Sequence, residues 1–260
     1  MYHVLKDLKG LSVLAIDEEA GELSDILFDD QSMTLRYFVV DMGTWLDARE
    51  ALISPLAIKG VYPAHGRLVA NLSKQEIEAS PALQSHPPVS TQYEEVLAKH
   101  HTWSPYWGRP MNPAEGAYGL LVPSPEVEWQ SLSEDERERL DQLRSGDPHL
   151  QSASEVEDYA IHTVDGDVGH VKDLLVEDKG WRIKFLVVKT GSWLRKTKVV
   201  VDCAHLESIE WAAQRVRMTL NRSAIKTAPR YNAKATRTGL ENALSTRAHC
   251  SSDLERSKHP

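Results

Sequence analysis

The stretch from Gly169 to Leu194, GHVKDLLVEDKGWRIKFLVVKTGSWL, repeats the stretch from Gly21 to Leu46, GELSDILFDDQSMTLRYFVVDMGTWL, at a constant offset of 148 residues without a gap. The same register pairs Asp25 with Asp173, Leu27 with Leu175, Asp30 with Asp178, Gly43 with Gly191 and Trp45 with Trp193. Further out it matches Asp17 with Asp165, Arg67 with Arg215, Leu72 with Leu220, Ile77 with Ile225 and Pro81 with Pro229. A period this long means tandem folding units, because solenoid repeats are far shorter. A unit of roughly 70 residues buries only about 60% of its unfolded surface, so each copy is marginal alone. The two copies are therefore expected to lean on one another as a pseudo-twofold pair.

Within a copy the pattern is that of short strands. Leu11 to Asp17, Gly21 to Asp29 and Met33 to Asp41 alternate apolar and polar residues, and Glu18 to Gly21 and Asp29 to Ser32 supply turns. Ala51 to Ile58 and Arg67 to Leu72 read as a fourth and a last strand, and the twin repeats all of these. With no amphipathic helix between them, such strands predict a small closed or nearly closed antiparallel barrel. A short helix follows each barrel. Ser73 and Glu76 have capping-box spacing before Pro81, and Asn221 caps the equivalent segment before Pro229. Between the copies, Ser85 to Ser90 is a Pro- and Ser-rich linker, Thr91 to His101 suits a helix, and Thr102 to Pro125 is an aromatic loop. Ser133 with Glu136 caps a charged helix, and Ser152 with Glu155 caps a turn. The expected division is a first barrel over 1–84, a linker over 85–153, a second barrel over 154–231 and a basic tail over 232–260.

Hydrophobic content of 41% with 26% charged residues suits a globular chain. Cys203 and Cys250 form no disulfide framework, and no run of the ~18 apolar residues needed to cross a membrane occurs, so a cytoplasmic location is expected. From Arg222 onward eight basic residues face three acidic ones, a surplus of five that leaves −13 of the net −8 on the rest. So acidic a body argues against nucleic acid as the barrels' ligand. The tail is expected to give only weak, salt-sensitive contact with anionic membrane surfaces.

The LRYFVVDMGTWL run and the hairpin before it carry a likeness to a known family, as do KDLKG at Lys6 to Gly10, HHTWSPYW at His100 to Trp107 and DPHLQSASEV at Asp147 to Val156. With these features the chain resembles the PRC-barrel family, named for the cytoplasmic domain of the photosynthetic reaction-centre H subunit. More closely, it looks like the bacterial tandem PRC-barrel proteins of uncharacterised function. The resemblance implies a mainly β fold of two tandem small antiparallel PRC-type barrels with short helices and an irregular linker. It also implies assembly and binding roles; it carries no catalytic residue.

Among candidate sites, Asp25, Asp29, Asp30, Asp173, Glu177 and Asp178 have the look of paired carboxylates, but turn and strand positions favour solvated turn and ladder roles. His100 and His101, with His86, form the densest chemical cluster beside Trp103 and Trp107. Adjacent helical histidines point about 100° apart and rarely chelate one ion. Packing of the linker over the barrel is the expected role of those rings. Trp45 and Trp193 follow a turn glycine in each copy, and packing over a barrel end is favoured over a partner-facing role. Together Trp45, Trp193, Trp103, Trp107, His100 and His101 make the candidate binding surface. No phosphate-cradling glycine loop, nucleophile elbow or dinucleotide fingerprint occurs, so no enzyme, cofactor or metal is expected. The expected function is a non-catalytic adaptor for an unknown protein partner, with homo-oligomerisation allowed, acting in the cytoplasm or at the photosynthetic or cytoplasmic membrane surface. The alternatives are a metal-dependent hydrolase built on the His-rich linker and a factor that binds RNA or the ribosome through the tail.

Overall fold

The computed structural model describes residues 1–43, 49–83, 87–89, 92, 130–143, 146–191 and 197–232 of the 260. In chain order the first half holds β1 (Tyr2–Val4), α1 (Leu5–Leu8), β2 (Ser12–Leu14), β3 (Glu19–Asp29), β4 (Thr34–Asp41), β5 (Glu50–Ile53), β6 (Ile58–Tyr62), β7 (Arg67–Ala70) and α2 (Lys74–Glu78). After α3 (Glu134–Leu143) the set recurs. It comprises β8 (Leu150–Ser152), α4 (Ala153–Val156), β9 (Ala160–Thr163), β10 (Gly166–Glu177), β11 (Ile183–Thr190), β12 (Thr197–Asp202), β13 (Leu206–Glu210), β14 (Arg215–Met218) and α5 (Arg222–Thr227).

Each half builds a seven-stranded sheet, ordered β5-β4-β3-β2-β7-β6 in one and β12-β11-β10-β9-β14-β13 in the other. Two details depart from the sequence reading. The expected single strand at Ala51 to Ile58 is two strands, because Pro55 cannot donate to a ladder and starts a 3-10 turn whose first free N–H, that of Leu56, is taken by Ser54 Oγ. The chain then runs back as β6, a strand the sequence reading missed. The ladder is also not wholly antiparallel, since β7 lies parallel to β2 and β14 parallel to β9. The capping predictions hold: Ser73 and Glu76 close a capping box, Asn221 accepts from Ala224 N, Ser133 and Glu136 bond reciprocally, and Ser152 Oγ accepts from Glu155 N.

The seventh strand of each sheet comes from the other half. β1 opens the chain yet pairs with β10, with Tyr2, His3 and Val4 opposite Glu177, Val176 and Leu175. β8 opens the second copy yet pairs with β3, with Leu150, Gln151 and Ser152 opposite Asp29, Phe28 and Leu27. Every one of these pairs maps onto its counterpart at the offset of 148. Residues expected with the first barrel and with the linker thus complete the opposite barrel. Each exchanged strand leads into a short helix on the same partner, α1 against β10 and α4 against β3.

The pseudo-twofold axis passes where Thr34 bridges Arg182, two equivalent positions. Around it Leu35 N donates to Trp181 O at 2.9 Å and Ile183 N to Met33 O at 2.7 Å. Met33 and Trp181 both hold left-handed backbone, φ 53° and 54°. The apolar interior crosses the junction, since one cluster contains Leu8, Phe28, Phe38 and Leu68 together with Val156, Ile161, Leu186 and Val216. Pairing of the halves therefore supplies the burial that neither small unit could supply alone.

Gly21 and Gly169 show why the repeat is strict at its first position. A Cβ on Gly21 would lie 2.2 Å from the carbonyl oxygen of Asp41, and one on Gly169 2.1 Å from that of Lys189. Both obstacles are main chain of the neighbouring strand, so side-chain movement cannot relieve them. Gly169→Ala is expected to lower stability by about 2–4 kcal/mol in denaturant titration; a loss below about 0.5 kcal/mol would show that the strands separate freely there.

Candidate functional site at the barrel junction

The repeated acids meet the exchanged segments, not bulk solvent. Asp25, on β3, accepts from Ser152 Oγ at 2.5 Å, from Ser154 Oγ at 2.5 Å and from Ser154 N at 3.2 Å, and so holds the start of α4. Asp173, its twin on β10, accepts from Lys6 N at 3.2 Å at the start of α1. Val4 and Lys6 stand where the other half has Ser152 and Ser154, so Asp173 lacks both hydroxyl donors. Its side chain is buried, the residue being 8% exposed. Burial therefore pushes its pKa up to about 6, against the hydrogen bonds from Lys6 and Leu174 that lower it. The expected solvated ladder role is corrected for Asp25 and Asp173: each ties an exchanged helix to its host barrel.

Asp30 and Asp178 make a second matched pair. Asp30 N donates to His149 O and Asp178 N to Met1 O, at 3.0 and 2.9 Å. The Asp30 carboxylate meets His149 Nδ1 at 2.9 Å and accepts from Gln151 Nε2 at 3.0 Å, while Asp178 meets His3 Nε2 at 2.9 Å. Burial raises the Asp30 pKa above its ordinary value despite the bonds from Gln151 and His149. Asp29 keeps the turn role expected of it, accepting from Ser32 N and Ser32 Oγ at 2.7 and 2.8 Å.

Beside this junction lies a cleft of about 510 Å³. Its walls come from the β3–β4 turn (Asp30, Gln31, Met33), from the exchanged segment (His149, Gln151) and from the second barrel (Arg182, Lys184, Cys203, Ile209, Trp211). Sequence reasoning did not find it, because it exists only once the halves exchange strands. The Cys203 thiol in its wall is held well above its ordinary pKa, first by burial and then by Asp202, so it is a poor nucleophile despite Arg182 and Lys184 nearby. The pseudo-equivalent side differs. There Trp181 stacks on His3 with ring centroids 6.2 Å apart and meets Phe38 edge-on at 5.1 Å.

The candidate surface residues Trp45, Trp193, Trp103, Trp107, His100 and His101, with His86, lie outside the described residues. So do the Thr91 to His101 helix, apart from Gln92, and the tail from Ala233. Among the described residues no three His, Cys, Asp or Glu side chains gather in a form that could hold a metal ion, and no helix is long and apolar enough to cross a membrane.

Residues 4–75 match the family model of the PRC-barrel domain. The first unit is a PRC-barrel domain, and the second unit repeats its strand order and register. The matched span includes α1, the helix that docks on the other barrel. No curated protein matches the chain.

Proposed function

We propose that this chain is a non-catalytic assembly protein of the cytoplasm that binds another protein through the outer surface of its paired barrels. The observation that carries this reading is how the junction's titratable groups are used. Asp25, Asp173, Asp30, Asp178, His3 and His149 all hold one half of the chain to the other. A general acid or base needs a proton-transfer position open to substrate, whereas these groups are engaged by the fold. The PRC-barrel match supports the same reading, since the resemblance implies binding and assembly. Affinity capture of the full-length chain after cross-linking in its host is expected to enrich a small set of proteins in amounts comparable to the bait. Capture of nothing above the untagged control, together with turnover of a hydrolase substrate panel by the purified chain, would replace this reading with a catalytic one.

A further inference from the structure

We propose that the chain associates head to tail with a second copy of itself, an acidic row on the first barrel of one copy meeting a basic row on the second barrel of the next. This contact is independent of the partner-binding function above, and either can fail without the other. In the first barrel Glu22 on β3, Asp41 on β4 and Glu50 on β5 stand directly opposite one another across the ladder. The adjoining row of Leu23, Val40 and Ala51 is buried, so the pleat turns the three carboxylates outward. In the second barrel the same positions, at the offset of 148, carry His170, Lys189 and Lys198, opposite one another across β10, β11 and β12. Glu22, Asp41, His170 and Lys198 are exposed, and Glu50 and Lys189 are half-buried. Like charges directly opposite one another destabilise a ladder, so neither row serves the fold of its own barrel. Glu50 is held above its ordinary pKa first by burial and, against a hydrogen bond from Ser24, by the Asp41 and Asp25 carboxylates.

The surroundings keep the two signs. Glu78 at the acidic end is Lys226 at the basic end, and Ala82 is Arg230. Lys226 and Arg230 line, with Thr190 and Thr197, a cleft of about 610 Å³ in which no carboxylate stands among the described residues. Counter-charges nearby are already engaged: Arg49 at the acidic end donates to the Glu78 carbonyl at 2.7 Å, and Asp167, the carboxylate near His170, meets His162 Nδ1 at 2.8 Å. Arg67 and Arg215 lie two strands beyond the rows, one in each barrel, and leave the contrast unchanged.

The fold also sets where the rows lie. Thr34 and Arg182 form an antiparallel bridge at the pseudo-twofold axis, so β4 and β11 run away from it in opposite directions. Asp41 and Lys189 each stand seven residues from that bridge (41 minus 34, 189 minus 182). At about 3.3 Å per residue, that is roughly 20 Å. The rows therefore occupy opposite ends of the molecule, and a copy bound through one keeps the other free. Such a contact is heterologous and grows into an open chain or closes into a ring. The repeat gives both rows the same backbone spacing, so the acids of one copy can face the bases of the next. Ion pairs between exposed groups are individually weak and are screened by salt, which makes the association low in affinity and salt-sensitive.

Sedimentation velocity of the full-length chain over a range of concentrations tests the contact. At about 20 mM salt the weight-average sedimentation coefficient is expected to rise with concentration, and at about 500 mM to stay at the monomer value. Glu22→Lys with Asp41→Lys makes both ends basic, and Lys189→Glu with Lys198→Glu makes both ends acidic. Each double variant alone is expected to remain monomeric at low salt, and an equimolar mixture of the two to associate at least as strongly as the wild type. An unchanged melting temperature excludes a folding defect. If a double variant melts early, the exposed single changes Glu22→Lys and Lys198→Glu are read instead, each weakening self-association at least about threefold and recovering on mixing. A wild type that stays monomeric at low salt, self-association undiminished in a folded variant, or a mixture that remains monomeric would overturn the proposal. A monomeric wild type that instead floats with phosphatidylserine vesicles, and loses that binding with Lys189→Glu and Lys198→Glu, would overturn it in favour of an anionic membrane surface.

Discussion

A chain that begins at Leu11, without β1 and α1, is expected to lose about 5 kcal/mol or more of stability, enough to abolish the cooperative transition of most domains. The segment is short, but its apolar residues lie inside the other half: Leu5 is 2% exposed, Leu8 0% and Val4 9%. Leaving a buried leucine site empty costs about 2–5 kcal/mol, and two are emptied together here. The loss also uncovers the outer edge of β10 and leaves Asp173 without the Lys6 N–H. Denaturant unfolding followed by circular dichroism reads the effect. Adding the ten-residue peptide of positions 1–10 in trans is expected to recover part of the lost transition. A truncated chain as stable as the intact one would mean that β1 and α1 contribute nothing to the second barrel.

Asp25 and Asp173 occupy equivalent places and are expected to respond in opposite directions. Asp25→Ala removes the acceptor for two hydroxyls and a backbone N–H at the start of α4, and is expected to cost about 2–4 kcal/mol. Asp173 has fewer donors and a pKa raised from 3.8 to about 6. A carboxyl whose folded pKa lies above its unfolded value favours the fold fully below pH ~4, and that contribution is lost as pH rises through about 6. At pH 7.5 the buried charge is therefore a liability. Asp173→Asn keeps an oxygen for the Lys6 and Leu174 N–H groups and carries no charge, so it is expected to stabilise the chain there by about 1–3 kcal/mol. The gain should vanish near pH 4. Burial raises the Asp30 pKa as well, with the same sign of pH dependence, so the informative quantity is the difference between wild type and variant across pH 4–8. A variant less stable than wild type at pH 7.5 would show that the Asp173 charge is compensated.

The repeat and local spacing made both barrels, their long hairpins and the caps at Ser73, Ser133, Ser152 and Asn221 legible from sequence: Ser73 to Glu76, Asn221 before its helix, and alternating residues over Gly21 to Asp29. In contrast α1, whose N-cap Val4 makes no side-chain cap bond, left no such signal. β6 was hidden because Pro55 to Ala57 makes a 3-10 turn inside a run that reads as one strand. The exchange was hidden for a different reason. Tyr2 to Val4 and Leu150 to Ser152 are three-residue strands, and nothing local distinguishes pairing with the near barrel from pairing with the far one. A faint signal was present, since Leu5 and Leu8 align with Ala153 and Val156, apolar residues on a helix too short to need them for itself. The cleft inherits that obscurity. Asp25 and Asp173 look identical in sequence; their difference is set by Ser152 and Ser154 against Val4 and Lys6, which lie far from them along the chain.

Reciprocal exchange is tested most directly by a disulfide trap. In a chain with Cys203→Ala and Cys250→Ser, Tyr2→Cys is combined either with Glu177→Cys, its neighbour across the β1–β10 ladder, or with Asp29→Cys, the position it would face if β1 folded onto its own barrel. Mild oxidation of the folded monomer, followed by peptide mapping, is predicted to link Tyr2→Cys to Glu177→Cys quantitatively and to leave the Asp29→Cys pair reduced. Ready oxidation of the Tyr2 and Asp29 pair, with the Tyr2 and Glu177 pair left as thiols, would contradict the exchange.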